Sequence, residues 1–254
     1  MKTDLPDVGE MMFRRIAGLD ASPPRQAPPS KKILVLSTPR SGSNLFCDSL
    51  EGTGKFGWPS EWLHPDMIRA YRIAKKRDGL VLGDYLDFVV RRSTTENGVF
   101  SMKLHIGQYM YWKSRGFDPL SLGFDRVFYL WRKDLVSQAY SLAKAGVSGQ
   151  WRSSLKPLAV VSPGQIGDSM IAAQLAQLMA WLEYYAANLA GSVDRSYCYE
   201  EFSADLSGLR SVLGDCGIGH DASEGLAPLT EMQRKPDDLE RVEQFRRLLA
   251  GLAG

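Results

Sequence analysis

Short apolar runs alternate with longer segments of helical periodicity along this 254-residue chain. The runs at residues 33–37, 99–104, 126–131 and 196–199 are typical of buried strands. Helices are predicted at residues 41–52, 65–76, 83–92, 134–145, 166–190, 202–216 and 236–252. Strands that are apolar on both faces and separated by helices predict the α/β class, with a parallel sheet flanked by helices on both faces.

The N-terminal segment differs in composition from the rest. Residues 21–30 hold four prolines, so residues 1–30 are predicted to form an extended, Pro-rich arm before one domain at residues 31–254. Acidic residues and arginines occupy the place where a signal peptide would have its apolar core. We therefore expect a cytoplasmic protein.

Charge and cysteine content exclude some partners and cofactors. The net charge of +2 does not favour nucleic acid as a partner. Three cysteines, Cys47, Cys198 and Cys216, make an odd number without paired spacing, which favours reduced thiols. No histidine flanks a cysteine cluster, so we expect no metal. A homodimer is left open.

A polar loop after the first apolar run is the main candidate for chemistry. A strand, a tight loop and a helix N-terminus together favour anion binding, because free backbone N–H groups point into the loop. Gly42 allows close approach to a phosphate, and hydroxyl and guanidinium groups flank it. The loop residues are Arg40, Ser41, Gly42, Ser43 and Asn44.

Three other interpretations of this loop stay open. A magnesium-dependent P-loop-like kinase would need a Lys where Ser43 follows Gly42, and a carboxylate after the strand at residues 126–131. A nucleotide-binding protein without turnover and an ordinary polar turn are the other two. None of the three is favoured by a further motif.

The motifs resemble those of a known enzyme family. The loop is similar to the 5′-phosphosulfate loop of sulfotransferases that use 3′-phosphoadenosine 5′-phosphosulfate (PAPS). The chain resembles the bacterial carbohydrate sulfotransferases of the trehalose 2-sulfotransferase type over about residues 32–250, with further matches in order at residues 45–47, 53–54, 59–62, 132–151, 199–202 and 233–235. The resemblance implies a P-loop-like sulfotransferase fold. It also implies transfer of a sulfuryl group, without a metal, from PAPS to a hydroxyl of a carbohydrate or glycolipid acceptor, and trehalose itself is not assured.

The resemblance also implies roles for residues outside the loop. Arg132 and Ser141 would bind the 3′-phosphate of PAPS, and Tyr199 would contact its adenine side. Arg234 and Lys235 would close over the 3′-phosphate. The competing interpretations are a surface arginine, a core aromatic and a solvated charge pair.

Two residues compete for the role of general base. Glu61 falls where the trehalose-type enzymes carry their catalytic Glu, and Trp58 and Trp62 beside it are predicted to stack on the acceptor sugar. His105 follows Lys103 in a K-x-H pattern that resembles the eukaryotic cytosolic sulfotransferases, in which the His is the base. Lys103 is expected to stabilise charge on the leaving phosphate. We favour Glu61.

Overall fold

The structure, a computed structural model, describes residues 7–153, 155–204, 208–219 and 236–252. Within these ranges, one parallel sheet has the strand order β2-β1-β3-β4. The strands are β1 (Lys31–Ser37), β2 (Val99–His105), β3 (Arg126–Trp131) and β4 (Arg195–Cys198). The helices are α1 (Asp7–Ala21), α2 (Ser43–Glu51), α3 (Pro65–Ala74), α4 (Leu82–Ser93), α5 (Ile106–Lys113), α6 (Leu135–Ser148), α7 (Asp168–Asn188), α8 (Tyr199–Phe202), α9 (Gly208–Asp215) and α10 (Pro236–Leu252).

Successive residues of β1 face opposite sides of the sheet, as the period of a strand requires. Leu34 and Leu36 belong to a buried cluster that includes residues of α1, α3, α4 and α5. Ile33 and Val35 belong to a second cluster with α2 and α9. Helices therefore cover both faces, and the predicted α/β class is confirmed.

The N-terminal segment is not extended over its whole length. Helix α1 occupies residues 7–21, so the prediction of an extended arm is wrong there. Met12, Ile16 and Leu19 follow helical spacing, and all three are buried against the sheet cluster. The prolines lie after α1, where residues 22–30 contain neither helix nor strand. The proline content was therefore a poor guide to the residues before it.

Two further elements differ from the predictions. Helix α5 was not predicted, and it begins directly after β2, with His105 as its N-cap residue. The single helix predicted at residues 202–216 is replaced by the short α8 and by α9. Of the helices in the described ranges, none combines the length and apolar character needed to span a membrane.

The buried contacts of α1 predict that it stabilises the fold. The Ile16→Ala variant removes a fully buried side chain and should lower the free energy of unfolding by about 2–5 kcal/mol. Ile73→Ala on α3 makes the same change at a side chain that is 36% exposed, and it should lower the free energy of unfolding much less. Urea denaturation would measure both. Equal effects of the two changes would contradict this account of α1.

Candidate active site

The parallel register brings the carboxyl ends of the strands to one edge. Ser37 of β1 is paired with His105 of β2 and with Leu130 of β3, and Trp131 is paired with Cys198. A cleft of about 1280 Å³ opens at this edge. Its lining includes many of the residues predicted from sequence: Arg40, Gly42, Ser43, Asn44, Glu61, His105, Arg132, Ser141 and Tyr199.

The loop between β1 and α2 has the backbone shape of an anion cradle. Arg40 and Gly42 both have left-handed backbone conformations, with φ of 64° and 80°. Gly42 is the N-cap residue of α2, and no side chain caps the helix there. The N–H groups of residues 43–45 have no carbonyl one turn earlier in the helix, so they are available to an anion.

Side chains from outside the loop and within it hold this shape. The amide of Gln138 on α6 donates to Thr38 Oγ1 at 2.8 Å and to the Pro39 carbonyl at 2.7 Å. Ser41 is fully buried, and its hydroxyl donates to the Thr38 carbonyl at 2.8 Å. Ser41 was predicted to contact the donor, but in this structure its side chain supports the loop instead.

Tyr199 lies directly on the loop. A Cβ added to Gly42 would clash with Tyr199 Cδ2 and would lie 2.8 Å from Cε2. The guanidinium of Arg132 also lies near this ring, 4.9 Å from its centroid. The start of α8 thus packs against both the loop and the end of β3.

Two arginines and a serine meet at one side of the loop. Arg40 Nε donates to Ser141 Oγ at 2.9 Å, and Arg132 Nη1 donates to the Arg40 carbonyl at 3.3 Å. Arg40 thus belongs with Arg132 and Ser141, although the sequence had grouped it with the rest of the loop. Burial, and then the charge of Arg132, lower the pKa of Arg40 to about 10.

Arg132 itself is only 8% exposed, and burial lowers its pKa. Among the described residues, its Nε makes no hydrogen bond and lies 3.6 Å from Glu200 Oε1. A buried guanidinium N–H without a hydrogen bond is costly. The cluster of Arg40, Arg132 and Ser141 is therefore suited to binding a multiply charged anion.

A second polar group surrounds Glu61. Lys103 Nζ lies 3.0 Å from Glu61 Oε1 and donates to Asn44 Oδ1 at 2.6 Å. The side chain of Gln108 donates to Glu61 Oε2 at 2.7 Å. His105 Nε2 lies 3.6 Å from Glu61 Oε1, so the two candidate bases are neighbours.

The charge state of Glu61 follows from these contacts. Burial alone raises the pKa of Glu61, but Lys103 and His105 outweigh it and hold the pKa well below its ordinary value. Glu61 is therefore ionised at neutral pH. Ser60, the residue before Glu61, forms an isolated parallel β-bridge with Met102 of β2. This bridge places Glu61 at the edge of the sheet.

The two tryptophans predicted to bind the acceptor do not line the cleft. Trp62 is fully buried, and its indole N–H is shared between the carbonyls of Trp58 and Ser101, at 3.1 and 3.3 Å. Trp58 packs on the same core and lies 4.9 Å from the Arg15 guanidinium. The prediction of acceptor stacking is therefore not supported for either residue. Arg234 and Lys235 lie outside the described residues.

Several residues that line the cleft or support it were not predicted from the sequence. Gln108 holds the predicted Glu61, Gln138 supports the start of the loop through Thr38 and Pro39, and Arg152 forms an ion pair with Asp48 of α2. Gln138 lies one turn before Ser141 on α6, and this spacing was a usable signal. The others carry no motif. Within the described ranges, no group of three His, Cys, Asp or Glu side chains is arranged to hold a metal ion.

The packing of Tyr199 on Gly42 generates a prediction with a matched control. Gly42→Ala and Gly54→Ala both place a Cβ at a residue with positive φ, but a Cβ at Gly54 meets nothing within 4 Å. We expect Gly42→Ala to lower the melting temperature more than Gly54→Ala. Tyr199→Ala in the Gly42→Ala background should recover part of the loss. Equal melting temperatures of the two glycine variants would contradict the proposed clash.

Comparisons with known proteins identify the family of this chain. The family model of the Stf0 sulphotransferases matches residues 32–247. The chain is similar to a sulfotransferase from Alicyclobacillus acidocaldarius, known from a crystal structure. The two are 13% identical, with a TM-score of 0.43, and the match covers 88% of this chain and 96% of that one. A search of curated proteins gives no match. On the strength of the match to the family model, the chain belongs to the Stf0 sulphotransferase family.

Proposed function

We propose that this sulfotransferase moves the sulfuryl group of PAPS to a hydroxyl of a carbohydrate or glycolipid acceptor. The observation that carries the proposal is the meeting of Arg40, Arg132 and Ser141 in the same cleft as Glu61 and its neighbours. Because the chain belongs to the Stf0 sulphotransferase family, neither a kinase nor a non-catalytic binding protein is kept as an alternative function. A cytoplasmic location, a homodimer and the absence of a nucleic-acid partner stay predictions.

PAPS has two anionic groups, and the cleft offers two places for them. The arginine and serine group suits a phosphate dianion, since a planar guanidinium and a hydroxyl donate together to a tetrahedral anion. The N-terminus of α2 and Gly42 form a second place, where the backbone can approach closely. We assign the 3′-phosphate to the first place and the 5′-phosphosulfate to the second.

Residues of this chain fit the requirements of sulfuryl transfer. PAPS, when bound, supplies an activated sulfuryl group on a phosphate leaving group. Lys103 is a buried cation between Asn44 and Glu61, so it can stabilise negative charge that develops beside the loop. Tyr199 covers the loop and helps to exclude water from it.

We assign the general base to Glu61. Its carboxylate is ionised at neutral pH and lines the cleft, so it can accept the proton of an acceptor hydroxyl. Gln108 and Lys103 fix its orientation. His105 remains the rival, because its Nδ1 is held 2.9 Å from Ser37 Oγ while its Nε2 faces the same carboxylate.

The phosphate assignment predicts a selective loss of affinity. In calorimetry, 3′-phosphoadenosine 5′-phosphate should bind more tightly than ATP with magnesium. Arg132→Ala should weaken that binding by about 1.5–3 kcal/mol, because a charged hydrogen bond to the phosphate is lost. Arg126→Ala, at the exposed opposite end of β3, is the control and should leave the affinity unchanged. Tighter binding of ATP with magnesium would contradict the donor assignment.

The base assignment predicts different losses for two variants. Glu61→Gln should lower kcat by about 10²- to 10⁴-fold, with nearly unchanged affinity for 3′-phosphoadenosine 5′-phosphate. His105→Ala should lower kcat only about tenfold, because hydrogen bonding is lost. Because the pKa of Glu61 is lowered, wild-type kcat should fall only when the pH drops below the ordinary carboxyl value of 4.5.

One outcome would reverse the base assignment. Near-normal kcat in Glu61→Gln, together with collapse in His105→Ala, would make His105 the base. The fold and the donor assignment would then stand, since neither depends on which residue takes the proton.

A further inference from the structure

The end of the cleft beside Glu61 has an apolar wall to which the proposed reaction gives no role. Met11 and Met12 of α1 and Trp181 of α7 line the cleft together with Glu61. None of the three was predicted as a site residue. The two methionines also precede residue 32, where the match to the family begins.

Trp181 is placed close to the candidate bases. A Cβ added to Gly107 would lie 3.0 Å from both Cε2 and Nε1 of Trp181, so the indole lies directly against this glycine. Gly107 is two residues after His105 and one before Gln108, the partner of Glu61. The ring is partly buried and packs on the cluster that contains Met12.

Contacts between α1 and the rest of the protein fix the position of its two methionines. Arg15, one turn after Met11, makes two hydrogen bonds to the Glu51 carboxylate, at 2.7 and 2.5 Å. Met12 is 5% exposed, and Ile16 behind it is fully buried. Methionine side chains adapt to irregular apolar groups and make favourable contacts with aromatic rings.

Polar groups lie at the same end of the cleft. His64 and Asp66, at the start of α3, line it together with Gln108. An acceptor that filled this end would therefore meet polar side chains and an apolar wall at once. Specific pockets commonly combine an apolar lining with a few polar groups that orient the ligand.

We propose that Met11, Met12 and Trp181 bind an apolar group carried by the acceptor, beside the hydroxyl that is sulfated. The preferred acceptor is then amphipathic: a sugar ring with an alkyl or aryl substituent. This inference rests on the proposed function and narrows its acceptor class. Helix α1 becomes a determinant of specificity as well as a part of the core.

The test compares two acceptors that differ only in the apolar group. Methyl β-glucoside and octyl β-glucoside, both kept monomeric in solution, are assayed for sulfate transfer from PAPS. The wild-type kcat/KM should be at least about tenfold higher for the octyl compound, since two buried methylenes alone are worth that much. Met11→Gln keeps the size of the side chain, and it should lower kcat/KM for the octyl compound until most of this preference is lost.

Two further variants complete the test. Trp181→Ala should also reduce the preference. Met179→Gln is the control. Met179 lies on the same helix but outside the cleft, and its side chain is 50% exposed, so this variant should behave as wild type. Because Met11 is partly exposed, its variant keeps the test valid even where Trp181→Ala fails to fold.

The outcomes separate the two proposals. Equal kcat/KM for the two glucosides, or a preference unchanged in both Met11→Gln and Trp181→Ala, would overturn the apolar wall while leaving the sulfotransferase proposal intact. Transfer to neither glucoside by a protein that binds 3′-phosphoadenosine 5′-phosphate would overturn the wall and the carbohydrate acceptor together. Failure to bind that nucleotide would overturn the donor assignment as well.

Discussion

The parallel pairing of β1 with both β2 and β3 is the constraint on which the site depends. Parallel strands in register end together, so Ser37, His105 and Leu130 reach the same edge of the sheet. Lys103, two residues before that edge, lies on the face covered by α2 and reaches Asn44. A slip of one residue in β2 would turn Lys103 to the opposite face.

Two clusters of charged side chains lie at that edge of the sheet, and they differ in which charges lie together. Lys103 is buried beside a carboxylate, and Glu61 is held ionised by it. Arg40 and Arg132 instead lie close enough for the charge of Arg132 to lower the pKa of Arg40. The first arrangement pairs a cation with a carboxylate, whereas the second brings two cations together, with Glu200 3.6 Å from Arg132.

The sequence predicted the strands, the loop and the residues at strand ends well, because local periodicity and motif spacing are enough for those. Residues 236–252 form the predicted helix with the same bounds. Trp62 was misassigned because an aromatic ring suits a sugar platform and a core equally, and only packing decides. The sequence did not predict that the Ser41 hydroxyl donates within the loop, because the direction of a hydroxyl depends on the loop backbone. Met11, Gln108 and Trp181 carry no motif, and tertiary contacts alone bring them to the site.

The hydrogen bond between Arg40 and Ser141 joins residues 101 positions apart in the chain. Such a contact forms only after a long segment of backbone has been ordered, and each parallel strand pair also needs a crossover before it can close. During synthesis, β1 and its loop leave the ribosome before β2, β3 and α6, so the partners of the loop do not yet exist when the loop is made. The loop after β1 is thus made before the segments that supply its partners.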